Sequence, residues 1–104
     1  MDKLKKEGTD CYQAQNFKEA IERFSECLEL DPLNHNFNSS ILFNRASAYL
    51  QIAMQKEALA DLNKAIEVNE EYVKALMKRA ELHFKMQNYE EAARDYERVK
   101  QVDP

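Results

Sequence analysis

The feature that most constrains this fold is an internal repeat. A pattern of small and large apolar residues occurs three times, shifted first by 38 positions and then by 34. The pattern comprises Leu4, Gly8, Ala20, Phe24 and Cys27, then Leu42, Ala46, Ala58, Leu62 and Ala65, then Leu76, Ala80, Ala92, Tyr96 and Val99. A repeat of this length is one helical hairpin that buries its apolar face only against its neighbours. The sequence therefore predicts three stacked helix pairs.

Apolar periodicity predicts an all-α chain of six helices, and one Gly and two Pro leave little turn chemistry for β-hairpins. We call the first helix of each pair A and the second B. The predicted repeats span about 1–34, 38–70 and 72–104 of a single domain, and the four additional residues predict an extra turn or loop around Asn34–Ser40. The predicted helices span 2–15, 18–30, 39–54, 56–68, 71–86 and 89–102.

Composition and charge narrow the function classes. The net charge of −4 disfavours nucleic acid and anionic membrane as partners. No run of apolar residues is long enough for a membrane span, and the charged start is unlike a signal peptide. Two cysteines without a CxxC motif favour a reducing compartment, the cytoplasm or the nucleus. No catalytic arrangement, cofactor motif or metal-ligand spacing is legible, so we expect a protein that is not an enzyme and needs no cofactor.

Several short sequence segments resemble those of a known protein family. Asn16-Phe17-Lys18-Glu19-Ala20-Ile21, Leu30-Asp31-Pro32, Phe43-Asn44-Arg45-Ala46 and Tyr89-Glu90-Glu91-Ala92 are similar to the chaperone-associated branch of the tetratricopeptide repeat (TPR) proteins. The resemblance covers essentially the whole chain as three repeats. With its long first linker and Lys74-Ala75-Leu76-Met77-Lys78-Arg79-Ala80, the chain most resembles the TPR segment of DnaJ-containing TPR co-chaperones. It implies an α-solenoid, a right-handed superhelix with the A helices on its concave face.

Formal charge is divided between the two helix sets. Over the predicted ranges the A helices sum to +3 and the B helices to −4. Lys74 and Lys78 are four residues apart and share one face of the third A helix. The plain interpretation is a solvated basic face, and the functional one is an anion site. An acidic protein with cations on its inner face favours an acidic ligand in the groove.

The resemblance implies a particular anion site, the carboxylate clamp. Its family pattern is Lys, Asn, Asn, Lys, Arg, on three successive A helices. Lys5, Asn44 and Lys74 match this pattern, whereas Thr9 replaces the first-repeat Asn and Lys78 replaces Arg. Thr9 lacks the amide donor and Lys78 lacks the bidentate fork of a guanidinium, so we expect weaker or altered binding. Asn44 has an alternative role in a hydrogen bond between repeats.

Neighbouring positions on the same helix faces are expected to line the rest of the groove. Tyr12, Ser47 and Glu81 lie one turn beyond the clamp, and Gln51 lies two turns beyond it. Tyr12 is suited to packing against an apolar peptide side chain. Glu81 is an acid in an anion groove and would select the peptide residue opposite it.

The resemblance implies an interaction module that binds the acidic C-terminal tail, ending Glu-Glu-Val-Asp, of cytosolic heat-shock chaperones of the seventy- and ninety-kilodalton classes. Two alternatives stay open: a TPR scaffold that reads no terminal carboxylate, and the regulatory TPR piece of a larger enzyme. TPR arrays usually end in a polar capping helix, and none follows the third repeat. We therefore expect an excised fragment that self-associates through its last repeat.

Overall fold

In the computed structural model, which describes residues 2–103, six α-helices form three consecutive antiparallel pairs. Each helix packs mainly against the next one along the chain. None of the described helices is long and apolar enough to cross a membrane. The helices are α1 (Asp2–Gln13), α2 (Phe17–Leu30), α3 (His35–Gln51), α4 (Gln55–Val68), α5 (Val73–Lys85) and α6 (Tyr89–Val102).

The A-to-B turn has the same geometry in all three pairs. Gln15, Ala53 and Gln87 adopt left-handed conformations, with φ of 66°, 61° and 64°. In each case the following residue donates its N–H to a carbonyl five residues earlier, as in Asn16 to Cys11 at 2.8 Å. This is the Schellman ending of an α-helix, which usually places glycine in the left-handed position. All three A-to-B turns therefore place a non-glycine residue in the left-handed position.

The four additional residues of the first interval form one further helical turn. Helix α3 has 17 residues and α5 has 13, and the extra turn lies at the N-terminus of α3. The helix begins at His35 instead of near Ser39 because the side chain of Asn34 caps it, accepting a hydrogen bond from Phe37 N at 3.4 Å. Of the two forms expected for this segment, the structure has the turn rather than the loop.

The buried residues form two clusters, and the half-buried Leu28 packs against both. Within the core, small side chains lie opposite large ones. Gly8 of α1 packs on the buried ring of Phe24, and a Cβ at Gly8 would meet that ring at 2.5 Å. At the equivalent positions the second pair has Ala46 and Leu62, both fully buried. A larger side chain on the B helix is thus accommodated by a smaller one on the A helix.

An arginine on each of the last two A helices binds an aspartate on the partner B helix. Arg45 donates to both carboxylate oxygens of Asp61, each at 2.7 Å, and Arg79 binds Asp95 at 2.8 and 2.7 Å. Each guanidinium also donates to a side chain of the preceding B helix. Arg45 donates to Ser25 Oγ of α2 at 3.0 Å. Arg79 makes the corresponding bond to Asn63, 38 residues after Ser25. These bonds tie three helices together and turn both arginines towards the B-helix side.

Candidate functional site

The three A helices lie side by side and run in the same direction. Between α1 and α3, Gln51 Nε2 donates to Tyr12 Oη at 3.3 Å. Between α3 and α5, the ammonium of Lys78 lies 5.9 Å from the centroid of the Phe43 ring. Along α1 and α3, Lys5 lies over Phe37 and Tyr12 meets Gln51 further on. Along α3 and α5, Tyr72 at the start of α5 packs on Phe43, and Glu81 further on lines a cavity with Gln51. Neighbouring A helices therefore run in the same direction. The surface of these helices forms the groove in which the candidate residues were predicted.

A cavity of about 350 Å³ lies where the three A helices meet. Five predicted site residues line it together, from three successive A helices: Thr9 and Tyr12 of α1, Asn44 and Ser47 of α3, and Lys78 of α5. The remaining lining residues, which were not among the predicted groove residues, are Gln13, Phe24 and Phe43. The cavity therefore combines an aromatic wall with a few polar groups, the usual composition of a ligand pocket.

The other two lysines of the predicted clamp are placed differently. The ammonium of Lys5 lies 5.6 Å from the centroid of the Phe37 ring, on the extra turn of α3. Lys74 is exposed one helical turn before Lys78 and is outside the residues that line the cavity. The structure thus brings Thr9, Asn44 and Lys78 together and sets Lys5 and Lys74 around them.

A second cavity of about 250 Å³ continues the groove along α3 and α5. It contains the two remaining predicted residues, Gln51 and Glu81, with Lys85 of the last turn of α5. Lys78 lines both cavities, so the two form neighbouring parts of one groove. Glu81 supplies a carboxylate between two ammonium groups at this end.

Hydrogen bonds within the protein decide which groove groups can still donate. The hydroxyl of Thr9 donates to Lys5 O at 2.9 Å, and that of Ser47 donates to Phe43 O at 3.1 Å, so both hydroxyls face a ligand only as acceptors. The hydroxyl of Tyr12 accepts from Gln51, which leaves its own proton available. Near the first cavity, donors for an anion therefore come from Gln13, Asn44, Lys78 and Tyr12.

Among residues 2–103, the cationic side chains at the groove are all lysines. Arg45 is the one cationic residue of α3, and its guanidinium is bound to Asp61. The side-chain hydrogen bond to Asp61 raises the pKa of Arg45 above its usual value, against the effect of burial. Arg79 is bound to Asp95 in the same way, so the guanidinium next to Lys78 is not part of the groove. Part of the positive charge counted on the A helices consequently faces the B helices.

The aromatic residues at the groove differ in whether the sequence could have predicted them. Phe37 precedes Asn44 by seven residues, which is two helical turns on the same face, but the predicted start of this helix excluded it. Phe43 directly precedes Asn44, and its ring supports Lys78. Phe24 belongs to a B helix and reaches the groove only because Gly8 leaves room beneath it. The first of these was predictable, whereas the last depends on packing.

Stacked helical hairpins with a continuous groove along one set of helices define a repeat protein built for protein interactions. The chain belongs to the tetratricopeptide repeat family: two models described as "Tetratricopeptide repeat" match residues 39–72 and 73–104. The predicted TPR solenoid is thereby confirmed, and so is the resemblance to DnaJ-linked TPR proteins. One relative, the "DnaJ homolog subfamily C member 7 homolog" of Dictyostelium discoideum, is 38% identical over 100 residues, covering 96% of this chain and 19% of the relative.

Two solved structures share the fold closely. The first TPR of Spaghetti (RPAP3) bound to the HSP90 peptide SRMEEVD has a TM-score of 0.87 at 35% identity, covering 97% of this chain and 77% of the other. The second TPR of the same protein, bound to the same peptide, has a TM-score of 0.87 at 28% identity, with 97% and 90% covered. The chain spans about a fifth of the length of the curated relatives that it matches.

Proposed function

We propose that this domain is a co-chaperone module that acts by binding, and that its groove holds the acidic C-terminal tail of cytosolic heat-shock chaperones of the ninety- and seventy-kilodalton classes. The observation that carries the proposal is the meeting of Thr9, Asn44 and Lys78, from three successive A helices, at one cavity of about 350 Å³. The similar domains that hold an HSP90 peptide support it. The proposed site comprises Lys5, Thr9, Tyr12, Asn44, Ser47, Gln51, Lys74, Lys78 and Glu81.

The chemistry of the groove suits a terminal carboxylate that sits next to an apolar side chain. Lys78 and Asn44 supply an ammonium and an amide donor for the carboxylate oxygens. Phe24 and Phe43 form an apolar wall within the same cavity. Lys5 and Lys74 stand nearby as further cations for the acidic side chains of the tail, where they attract the peptide over several ångströms.

Titration with two forms of one peptide tests the proposal. A peptide ending in Glu-Glu-Val-Asp should bind as the free acid, and its C-terminal amide should bind about tenfold more weakly, because the amide removes a charge-assisted hydrogen bond. Affinity for the free acid should fall as salt is raised, since the lysines are at the surface. Equal affinity for the two forms would refute the proposal that the groove recognises a terminal carboxylate.

A matched pair of lysine variants separates the groove from general charge effects. Lys74→Ala removes one cation beside the groove, and Lys56→Ala removes one from the exposed surface of α4. Only Lys74→Ala should weaken binding, mostly at low salt. If both variants weaken it alike, attraction to the groove is not the cause.

The hydroxyl of Thr9 favours a second candidate. Because that hydroxyl donates to Lys5 O, the cavity has one donor fewer than the family pattern supplies. In this second candidate the domain is a scaffold that holds a protein segment without a free terminus. This candidate would be favoured if amidation of the peptide C-terminus leaves the affinity unchanged. The double variant Lys5→Ala with Lys74→Ala should then also bind with unchanged affinity.

We also propose that the domain self-associates through its last helix pair. Phe84 and Tyr89 are 59% and 56% exposed, and their rings contact each other edge to face at 5.3 Å. A second copy would cover these rings and gain apolar burial. Sedimentation velocity should show a mass that rises with concentration, and a monomer at every concentration would refute this.

The tails in question belong to chaperones of the cytosol, so we place the domain in the cytoplasm or the nucleus. A fluorescent fusion of the whole natural chain, imaged in cells, tests this location. Confinement of the fusion to mitochondria or to the secretory pathway would refute it.

A further inference from the structure

The middle A helix, α3, places an aromatic ring next to a lysine of each neighbouring A helix. The ammonium of Lys5, on α1, lies 5.6 Å from the centroid of the Phe37 ring, and that of Lys78, on α5, lies 5.9 Å from the centroid of the Phe43 ring. Both distances are within the range at which an aromatic ring attracts a cation. The two phenylalanines are six residues apart, so they point about 120° apart around α3, one towards α1 and the other towards α5.

Lys74 provides a comparison beside the same groove. It lies on α5 one helical turn before Lys78, and among residues 2–103 no aromatic ring contacts its ammonium. Lys74 is exposed, whereas Lys5 and Lys78 are half-buried. The two lysines that contact a ring are thus the two that are partly shielded from solvent.

The stacking of the repeats does not by itself require these two rings. The position of Phe43 is occupied by Lys5 in the first repeat and by Met77 in the third. The position of Phe37 corresponds to Glu71 in the third repeat, which lies before the start of α5. Phe37 belongs to a helix only because α3 has an additional N-terminal turn. Aromatic residues at these two positions are therefore a property of the second repeat rather than of the fold.

The core restricts the movement of each ring. Phe37 packs against the buried cluster that contains Phe24, and Phe43 packs against the cluster that contains Leu62. The Tyr72 ring lies 5.6 Å from the Phe43 ring and supports it further. A ring with fixed neighbours has few available rotamers, so an ammonium attracted to that ring is restricted as well.

We propose that Phe37 and Phe43 are positioning residues of the groove, which hold the ammonium groups of Lys5 and Lys78 in place before an acidic ligand binds. A lysine side chain loses rotamer freedom when a ligand fixes it, and a ring contact removes part of that cost in advance. The effect matters most at Lys78, which lacks the planar fork of an arginine. This inference rests on the proposed function, because the ligand is the same acidic tail.

The lysine side-chain signals of the free protein test the ring contacts by nuclear magnetic resonance. Protons over the face of an aromatic ring are shifted upfield, so the ε-methylene protons of Lys5 and Lys78 should resonate upfield of those of Lys74. Phe37→Leu should move the Lys5 signals to the position of the Lys74 signals and leave those of Lys78 in place, and Phe43→Leu should do the reverse. Coincident signals for all three lysines in the unaltered protein would overturn the proposal.

Peptide affinity tests the consequence for binding. Folded Phe43→Leu should bind a free-acid Glu-Glu-Val-Asp peptide about threefold more weakly at low and at high salt alike, because it removes a ring contact and no charge. Lys78→Ala removes a charge, so its effect should shrink as salt is raised. Phe43→Tyr keeps a ring and should bind as the unaltered protein does. Phe84→Leu, which removes an exposed ring without a lysine contact, is the matched control and should leave the affinity unchanged.

The outcomes separate this inference from the proposed function. Unchanged affinity in folded Phe43→Leu, or an equal loss in Phe43→Leu and in the control Phe84→Leu, would overturn the inference. The comparison of Phe37→Leu with Phe37→Tyr repeats the test at the other lysine, should a variant of Phe43 fail to fold. Upfield lysine signals without peptide binding would refute the proposed function and leave the ring contacts standing. Peptide binding with coincident lysine signals would refute this inference alone.

Discussion

Arg79 holds the carboxylate of Asp95 with two hydrogen bonds of 2.8 and 2.7 Å, although its neighbour Lys78 faces the opposite side of the solenoid. Adjacent residues on a helix point about 100° apart, so the two cations serve different surfaces. Lys78 lines the groove, whereas Arg79 joins α5 to α6 and to Asn63 of α4. The division repeats one pair earlier, where Asn44 faces the groove and Arg45 binds Asp61.

This division predicts opposite phenotypes for two neighbouring substitutions. Lys78→Ala should lower affinity for a free-acid Glu-Glu-Val-Asp peptide about tenfold and leave the free energy of unfolding unchanged, because it removes one ammonium from the cavity. Arg79→Ala should lower the free energy of unfolding by about 2–3 kcal/mol, because it leaves the nearly buried carboxylate of Asp95 unpaired. Calorimetric titration and urea unfolding measure the two quantities, and similar phenotypes for both variants would contradict the division.

A second prediction concerns the two departures from the family pattern. Thr9→Asn should give the groove an amide donor in place of a hydroxyl that donates to Lys5 O. Lys78→Arg should add a planar fork for two carboxylate oxygens. Together they should tighten free-acid peptide binding about tenfold, with a smaller effect on the C-terminal amide. Fluorescence anisotropy with a labelled peptide measures both, and equal gains for acid and amide would count against a carboxylate contact.

A third prediction follows from the contact between Gly8 and Phe24. Gly8→Ala should lower the free energy of unfolding by about 1–2 kcal/mol, because its Cβ would meet the buried ring at 2.5 Å. The double change Gly8→Ala with Phe24→Leu reproduces the Ala46 and Leu62 pair of the next repeat and should recover most of that loss. Urea denaturation of the single and double variants measures the coupling, and additive effects would show that the two residues do not compensate.

The left-handed turns give a fourth prediction. Ala53→Gly should raise the free energy of unfolding by up to about 1 kcal/mol, because glycine adopts the φ of 61° without steric cost. Ala60→Gly, at an exposed position inside α4, is the control and should lower it by about 1 kcal/mol. Thermal unfolding compares the two, and a fall in melting temperature with Ala53→Gly would contradict the prediction.

The sequence predicted the helices well because spacing alone determines which residues share a face. All six helices occur, and the second, fourth and sixth match their predicted ranges to within one residue at each end. The start of α3 was missed because its extra turn is mostly polar, with Asn34 as cap and His35 and Asn36 following, so that Phe37 stood alone among polar residues. Apolar periodicity detects the buried face of a helix, so it does not detect a helical turn made mostly of polar residues.

Groove membership was predictable for residues on the repeat face, such as Thr9, Asn44 and Lys78, because equivalent positions of stacked repeats lie together. Two features of the site could not be predicted from the sequence. The charge count did not separate arginines bound to B-helix aspartates from lysines in the groove, because a guanidinium reaches far from its own Cα. The destination of each hydroxyl proton also depends on rotamers that no spacing encodes.

The extra turn of α3 contributes to both sides of the molecule. Phe37 supports the ammonium of Lys5 beside the groove, and the next residue, Asn38, lies at a cavity on the other side. A four-residue deletion that keeps the helical phase would therefore alter both surfaces in a single event.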